Sequence, residues 1–318
     1  MTSDRSTGDE PFEPATLIIP TRDRPGLLAA SLRSVLDAEL VPDEILVVDQ
    51  STTCDGTVER QAAAADHPIR HIHESSAGVS RGRNVGARLA MHEVLLFIDD
   101  DVLVERGWCR VIRVALAAAP DHAVVTGRLE ATEPEQPGAF APSTTANFSR
   151  HTYTEPIGID VLYSGNMAMR RLTLRTVGGF DVRLGPGTSY PAAEDNDLAH
   201  RLLTSGVAIV SEPDALAHHR AWRPASALLP LRWRYGRGQG AFLAKHLTDQ
   251  RGSTGPRLGS QIVRYARRIA RAGRERPAAA LPDLAYLLGL VIGAVQWILC
   301  ERVPRRFPVV TDDPSRQE

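Results

Sequence analysis

Between Ala15 and Glu130 the chain alternates short apolar runs with polar clusters. Five runs predict strands: Ala15–Pro20 (ATLIIP), Glu44–Gln50 (EILVVDQ), Pro68–Glu74 (PIRHIHE), Val94–Asp101 (VLLFIDDD) and Ala123–Glu130 (AVVTGRLE). Apolar residues at helical spacing in Gly26–Ala38 predict a helix between the first two, and Arg83–His92 predicts another between the third and fourth. The order strand, helix, strand, strand, helix, strand implies an α/β domain with a Rossmann-type, mixed but mainly parallel sheet flanked by helices. Ligands of such sheets sit at the carboxyl ends of the strands. There the sequence places TRDRPG, DQSTTCDG and DDDV.

Further along, Arg128–Gly187 is richer in Pro, Gly, Ser and Thr and predicts loops with few long helices. Glu194–Gly206 (EDNDLAHRLLTSG) reads as an acidic helix start followed by an amphipathic helix with Leu198, Leu202 and Leu203 on one side, and Ala208–Arg220 as a short strand with a His pair. Gly236–Gly240 (GRGQG) reads as flexible or backbone-packing. The apolar segment Leu281–Cys300 has the length of a membrane span, about 20 residues. Pro282, Asp283, Gly289, Gly293 and Gln296 weaken it as a spanning helix, whereas Trp297 followed by Arg302, Arg305 and Arg306 matches an interfacial anchor. Membrane contact, a buried helix and a homodimer surface all stay open for it.

Composition changes this picture in three places. The formal net charge of -1 conceals a basic stretch, Arg220–Arg276, with fourteen Arg or Lys against Asp249 and Glu275, which suits phosphates or an anionic membrane surface. The single lysine, Lys245, in an Arg-rich chain offers a merely compositional alternative. Cys54, Cys109 and Cys300 form no CxxC or Cys/His spacing, so neither a disulfide framework nor a zinc site is indicated and a reducing cytoplasm fits best, with attachment to the inner face of the cell membrane through the basic and apolar C-terminal segments left open. The polar N-terminus lacks an apolar signal region. The expected division is a disordered arm (1–14), an α/β domain (15–225, in two halves, 15–105 and 106–225), and a basic, apolar helical C-terminal extension (226–318).

Three adjacent carboxylates, Asp99, Asp100 and Asp101, directly after an apolar run are the strongest chemical signal. Strand alternation would put Asp99 and Asp101 on one side and Asp100 on the other, and two same-side carboxylates suit a hard cation, Mg or Mn, with positions left for phosphate oxygens. Asp49 ends the second strand, where an acid can accept hydrogen bonds from a ribose or base. In AGVSRGRNVGARLA (Ala77–Ala90) glycines and arginines at a helix start suit an anion; neither a Walker loop nor GxGxxG is present. Glu194 or Asp195 offers a general base, and His218 or His219 a neutral imidazole for a metal.

Six stretches, TLIIPTRDRP, EILVVDQSTTCDGT, AGVSRGRNVGARLA, LLFIDDDV, YSGNMAMRR and EDNDLAHRL, occur in an order that resembles the nucleotide-sugar glycosyltransferases of family 2, with the GT-A fold. The resemblance covers Ala15 to Arg220. It implies an inverting transfer from a nucleoside-diphosphate sugar to the hydroxyl of a saccharide or lipid-linked acceptor, with a divalent metal (Mn or Mg), in cell-envelope polysaccharide, glycolipid or glycoconjugate synthesis, and no nucleic-acid partner. Pro20, Thr21, Arg22 and Arg24 match the first nucleotide-contact loop, Asp49 the base-contacting acid, and Arg83 the arginine near the nucleotide. Asp99 and Asp101 match the outer residues of the DXD metal motif, with Asp100 at the variable position and expected to tolerate replacement. Gly165 and Asn166 match the donor-sugar and acceptor loop, Asp195 with Glu194 the ED catalytic base, and His218 the distal metal ligand, with His219 the alternative. Gln50, Arg22 and Asp23 depart from the pattern and bear on the shape of the nucleotide pocket. Two alternatives remain. A sugar nucleotidyltransferase would show a Gly-rich basic loop where TRDRPG has one glycine, and a non-catalytic nucleotide-sugar-binding protein would not need both acidic motifs.

Overall fold

The computed structural model describes residues 12–53, 56, 58, 60, 67–145, 149–247, 254–275 and 277–300. The first half of the α/β domain runs β1 (Ala15–Thr21), α1 (Pro25–Leu36), β2 (Glu44–Asp49), β3 (Ile69–His73), α2 (Val79–Leu89) and β4 (Val94–Ile98). Then follow β5 (Val102–Val104), α3 (Trp108–Ala118), β6 (Val124–Ala131), β7 (His151–Tyr153), β8 (Asn166–Arg170), α4 (Arg171–Thr176), α5 (Glu194–Thr204) and β9 (Ile209–His219). Three helices close the chain: α6 (Leu228–Lys245), α7 (Thr254–Glu275) and α8 (Pro277–Cys300).

One sheet has the order β3-β2-β1-β4-β8-β6-β9-β5, with β7 also on β9. Pairing is parallel from β3 through β4 and between β6 and β9, and antiparallel where β8 sits between β4 and β6. Both faces are covered, which is why the first strands are apolar at every position rather than every second one. Leu17, Ile19, Leu96 and Ile98 point into a core shared with Leu32 of α1 and Trp108 and Ile112 of α3. The alternate residues Ile18, Leu95 and Phe97 meet Phe180 and Leu198 on the other face. There α2 lies so close that a Cβ on Gly86 would stand 2.4 Å from Ile18 Cγ2.

Several expectations change. β8 lies inside the Pro/Gly-rich stretch read as loops, and Ile209–His219 is one long strand of 11 residues. The helix predicted from Arg83 starts at Val79, so Arg83 sits within its second turn. Of the predicted disordered arm, 1–11 lie outside the described residues, but Glu13 pairs with Arg170 and Phe12 lies under Arg113. Cys54, Asp55, Asp249 and the arginines after Cys300 also lie outside them.

In the extension, α6 and α8 cross at backbone contact. A Cβ on Gly240 would stand 2.0 Å from the Leu290 carbonyl oxygen, and one on Gly293 2.1 Å from that of Arg237. The glycines that weaken Leu281–Cys300 as a free helix are thus its docking surface. Residues 278–300 are long and apolar enough to cross a membrane. One stripe of this helix, with Tyr286, Leu290, Ala294 and Trp297, is buried, and another, with Leu284, Leu288, Val291 and Val295, is exposed.

Candidate functional site

A cavity of about 790 Å³ opens at the carboxyl ends of the strands, bounded by the loop after β1, the turn after β4, the loop before β8, the start of α5 and the segment after β9. The aspartate triplet forms its floor. β4 ends at Ile98 and the chain turns, the Val102 amide donating to the Asp99 carbonyl at 3.1 Å, so the strand's alternation stops before the acids. Asp99 therefore faces Arg83, whose Nη2 donates to Oδ1 at 2.5 Å. Asp100 and Asp101 instead share Arg24, whose Nη1 lies 3.2 Å from each carboxylate. The Thr21 hydroxyl completes Asp100 at 2.7 Å, and His219 Nε2 lies 3.1 Å from Asp101 Oδ1.

On the opposite wall the same arginine meets a second acidic pair. Arg83 Nη1 stands 3.5 Å from Glu194 Oε1 and 4.0 Å from Asp195 Oδ1, and the Ser164 hydroxyl donates to Asp195. Ala193, directly before the pair, takes the left-handed conformation with φ of 69°, an uncommon state for a residue with a side chain, which starts α5 at the cavity wall. Arg83 is 1% exposed, and its Nε and Nη1 make no hydrogen bond among the described residues. Buried donors without acceptors cost free energy, so they fit a site that receives oxygen atoms from a ligand.

The charge states follow from this geometry. Burial and then the charge of Asp195 push Glu194 up to about 8, against the opposing pull of Arg83. Burial likewise raises Asp195, although Arg83 and Ser164 oppose it. Burial and the neighbouring Asp101 bring Asp100 to about 6. For Asp101 burial acts upward, but His219 and Arg24 outweigh it and hold the carboxyl below its usual range. Burial would lower His219, yet Asp101 outweighs it and raises the imidazole. Among the described residues no group of three or more His, Cys, Asp or Glu side chains is arranged to hold a metal ion by itself. A cation at this point would displace the proton that Asp101 favours on His219 and meet one oxygen and one nitrogen donor, Asp101 and His219, beside the 31%-exposed Asp99. Such a set fits a hard cation that keeps open positions for phosphate oxygens.

The family model described as Glycosyl transferase family 2 matches residues 16–178. The chain belongs to this family. Among curated relatives it is similar to the pre-mycofactocin glycosyltransferase of Mycobacterium tuberculosis, 28% identical over 212 residues that cover 64% of this chain and 42% of that protein. The chain thus spans less than half the length of that relative. It is also similar to the glucosyl-dolichyl phosphate glucuronosyltransferase of Haloferax volcanii, 23% identical over 201 residues, covering 60% of this chain and 63% of the relative. Among solved structures, a mannosyltransferase from Pyrobaculum calidifontis in complex with GDP-Man and Mn2+ superposes with a TM-score of 0.61 at 17% identity, over 92% of this chain and 88% of that one. The shared architecture is the GT-A fold. Family membership sets aside the sugar nucleotidyltransferase reading.

Most of the site residues expected from the sequence meet in the cavity of this family 2 chain. Pro20, Thr21, Arg22 and Arg24 line one side, Arg83 and the three aspartates the floor, and Gly165, Glu194 and Asp195 the other side. At Gly165 a Cβ would come within 2.7 Å of Asp99 Oδ2, so the glycine keeps the carboxylate accessible. Asp49 lines a smaller adjoining cavity of about 220 Å³ with Thr21, Arg24 and His71, whose Nε2 lies 3.2 Å from its carboxylate. Gln50, where the family often has a second acid, donates from Nε2 to the carbonyls of Ser76 and Gly78 at 2.6 and 3.1 Å and so ties β2 to the start of α2.

Three expectations need correction. Asn166 is fully buried and lines no part of the cavity: its Oδ1 accepts from Trp108 Nε1 at 2.8 Å, and its Nδ2 donates to the Arg128 and Ala215 carbonyls at 3.0 and 2.8 Å. His218 points away, its Nε2 2.7 Å from Glu105 Oε1, because neighbours on β9 face opposite sides; His219 holds the position at Asp101. Asp100 is not a free variable position, being 5% exposed and held by Thr21 and Arg24. Sequence reasoning also missed Ser164, fully buried behind the wall and donating to Asp195, and Arg223 and Tyr235, which line the cavity from segments without a local motif. Arg223 acts on Asp101 by charge, and Tyr235 OH lies 3.0 Å from the Ser143 hydroxyl.

Proposed function

We propose that the protein is an inverting, metal-dependent glycosyltransferase that moves a sugar from a nucleoside-diphosphate sugar to an acceptor hydroxyl in cell-envelope or other glycoconjugate synthesis. The observation that carries this reading is Arg83, buried between Asp99 on the nucleotide side and the Glu194–Asp195 pair on the acceptor side. One guanidinium thus links the leaving-group end of the cavity to a candidate base. Asp49, Thr21 and Arg24 hold the nucleoside end, and Arg83, Arg24 and Arg223 face the diphosphate. Asp101 and His219, with Asp99, would hold a divalent cation, which when bound would supply positive charge to the departing diphosphate. The Mn2+ in the Pyrobaculum complex supports this assignment.

Asp195 takes the proton of the acceptor hydroxyl, whose oxygen bonds to the anomeric carbon as the bond to the diphosphate breaks and its electron pair leaves with the phosphate oxygen. A single displacement inverts the anomeric centre. The raised carboxyl pair suits a base working near neutral pH. Replacing Asp195 by Asn keeps nucleoside-diphosphate binding and lowers turnover of the sugar nucleotide by about 100-fold or more. Near-normal turnover removes Asp195 from the role of base.

The extension supplies the working surface. The outward stripe Leu284, Leu288, Val291 and Val295 of α8 is 39–49% exposed, and Arg267, Arg268 and Arg271 of α7 border the neighbouring groove with Ala279. An apolar stripe beside arginines matches an anionic membrane face rather than a neutral partner.

A further inference from the structure

The cavity does not end at Glu194 and Asp195. Beyond them its wall is made by the C-terminal helices and carries Arg232 and Gln239 of α6, Arg257 and Arg264 of α7, and the paired rings of Tyr265 and Tyr286, whose centroids are 4.4 Å apart. This lobe is built rather than merely basic. Arg232 Nη2 donates to the Tyr265 hydroxyl at 3.0 Å and pairs with the buried Asp283 at 3.3 Å, its guanidinium carbon stands 4.6 Å from the Tyr286 ring centroid, and the Tyr286 hydroxyl donates to Gln261 at 3.0 Å. Arg264 lies over Tyr265 at 5.2 Å and makes no ion pair among the described residues.

Two donors on this wall have no acceptor. Arg257, with a side chain only 10% exposed, is paired through Nη2 with the 54%-exposed Asp160, yet its buried Nε makes no hydrogen bond among the described residues. Gln239, 6% exposed, accepts through Oε1 from Asn196 Nδ2 at 2.9 Å, and its buried Nε2 has no hydrogen-bond partner among the described residues. Asn196 is the residue after Asp195, so Gln239 joins the lobe to the helix that bears the base. Unmatched buried donors, together with three arginines at one end of a cavity, of which Asp283 and Asp160 pair two and no acid among the described residues pairs Arg264, call for a ligand rich in acceptor oxygens and negative charge.

We propose that this lobe binds a phosphate carried by the acceptor, so that the acceptor hydroxyl lies at Asp195 while its phosphate rests among Arg232, Arg257 and Arg264. The phosphate stays intact through the transfer and acts as an anchor. The opening of the lobe among helices that also bear the exposed α8 stripe favours an amphiphilic acceptor, an alkyl chain that carries both a phosphate and the group bearing the reacting hydroxyl. The proposal rests on the transferase reading given above, and its test separates the two.

Binding to the full chain is measured by titration calorimetry for a short-chain alkyl phosphate, the matching alcohol and inorganic phosphate. Wild-type protein is expected to bind the alkyl phosphate about tenfold or more tighter than the alcohol, and also tighter than inorganic phosphate. Arg257→Gln and Arg264→Gln each weaken the alkyl phosphate several-fold and leave the alcohol unchanged. Arg264 makes no ion pair among the described residues, so its variant remains informative if Arg257→Gln folds poorly. Equal affinity for phosphate and alcohol, or undiminished affinity in a folded variant, overturns the proposal. Inorganic phosphate binding as tightly as the alkyl phosphate overturns it too, since it identifies a free-anion site. A nucleoside diphosphate with Mn2+ is titrated into the same samples: normal binding in this arm confines a failure to the acceptor proposal, and no binding by the wild type overturns the donor-site reading instead.

Discussion

Replacing Arg83 by Met removes the only cation that touches Asp99, Glu194 and Asp195 together among the described residues. The methionine keeps most of the volume and its contact with Phe180, over whose ring the guanidinium lies at 5.3 Å, so the perturbation is chiefly one of charge. Breaking a buried ion pair from one side costs about 3 to 5 kcal/mol, because the partners stay buried without compensation. The cost depends on pH, with a sign fixed by Glu194. Its folded pKa of about 8 lies above the ordinary 4.5, so the folded protein holds a proton that the unfolded chain releases, and stability falls as pH rises from 4.5 to 8. Arg83 pulls that value down, so its loss raises it and extends the fall above pH 8. Each unit of extension is worth about 1.4 kcal/mol. Urea unfolding followed by tryptophan fluorescence at about pH 6.5 and about pH 9 should therefore show a stability gap that is larger by about 1 kcal/mol or more at the higher pH. An equal gap at both values, or none, refutes the assignment of Arg83 as the counter-charge of the acidic pair.

The helical extension gives two further predictions. Gly240→Ala drives a Cβ into the Leu290 carbonyl and should cost about 1 to 3 kcal/mol or more, with faster proteolysis of α8; Gly259→Ala, with nothing within 4 Å, should be neutral or slightly stabilising. Thermal melts of equal midpoint for the two variants contradict the close α6–α8 crossing. Leu288→Gln combined with Val295→Gln alters side chains 49% and 47% exposed, so it should leave the melting temperature nearly unchanged and abolish co-sedimentation with phosphatidylglycerol vesicles. Undiminished co-sedimentation removes α8 as the docking face.

The parts of this protein that were legible from sequence are those in which the signal is local. Apolar runs such as Leu17–Ile19 and Leu95–Ile98 announce strands covered on both faces, and the acids that follow them announce the cavity, since strand ends are where such sheets bind ligands. Roles decided by contacts distant in sequence were not legible. β8 is five residues long among turn-forming neighbours, and its centrality comes from pairing with β4 and β6, which lie far away in the chain. Asn166 looks like a ligand-binding amide until Trp108 and two carbonyls are found to saturate it. For the His pair, alternation on a strand says that one residue faces the aspartates and the other does not; only the register of β9 against β5, with His219 opposite Val102, says which. The aspartates show a related limit: strand alternation pairs Asp99 with Asp101, but the strand ends at Ile98 and the turn that follows places Asp100 beside Asp101 at Arg24 instead. The glycines of α6 and α8 acquire meaning only from each other.

The central claim, a metal-assisted nucleoside-diphosphate site on the aspartate turn, is tested most directly by locating the metal. Crystals grown with a nucleoside diphosphate and Mn2+, with diffraction data collected at the manganese edge, should show an anomalous peak between Asp101 and His219, in contact with the diphosphate and within reach of Asp99. A peak at His218 or elsewhere on the protein, or a bound diphosphate with no manganese at the turn, contradicts the account.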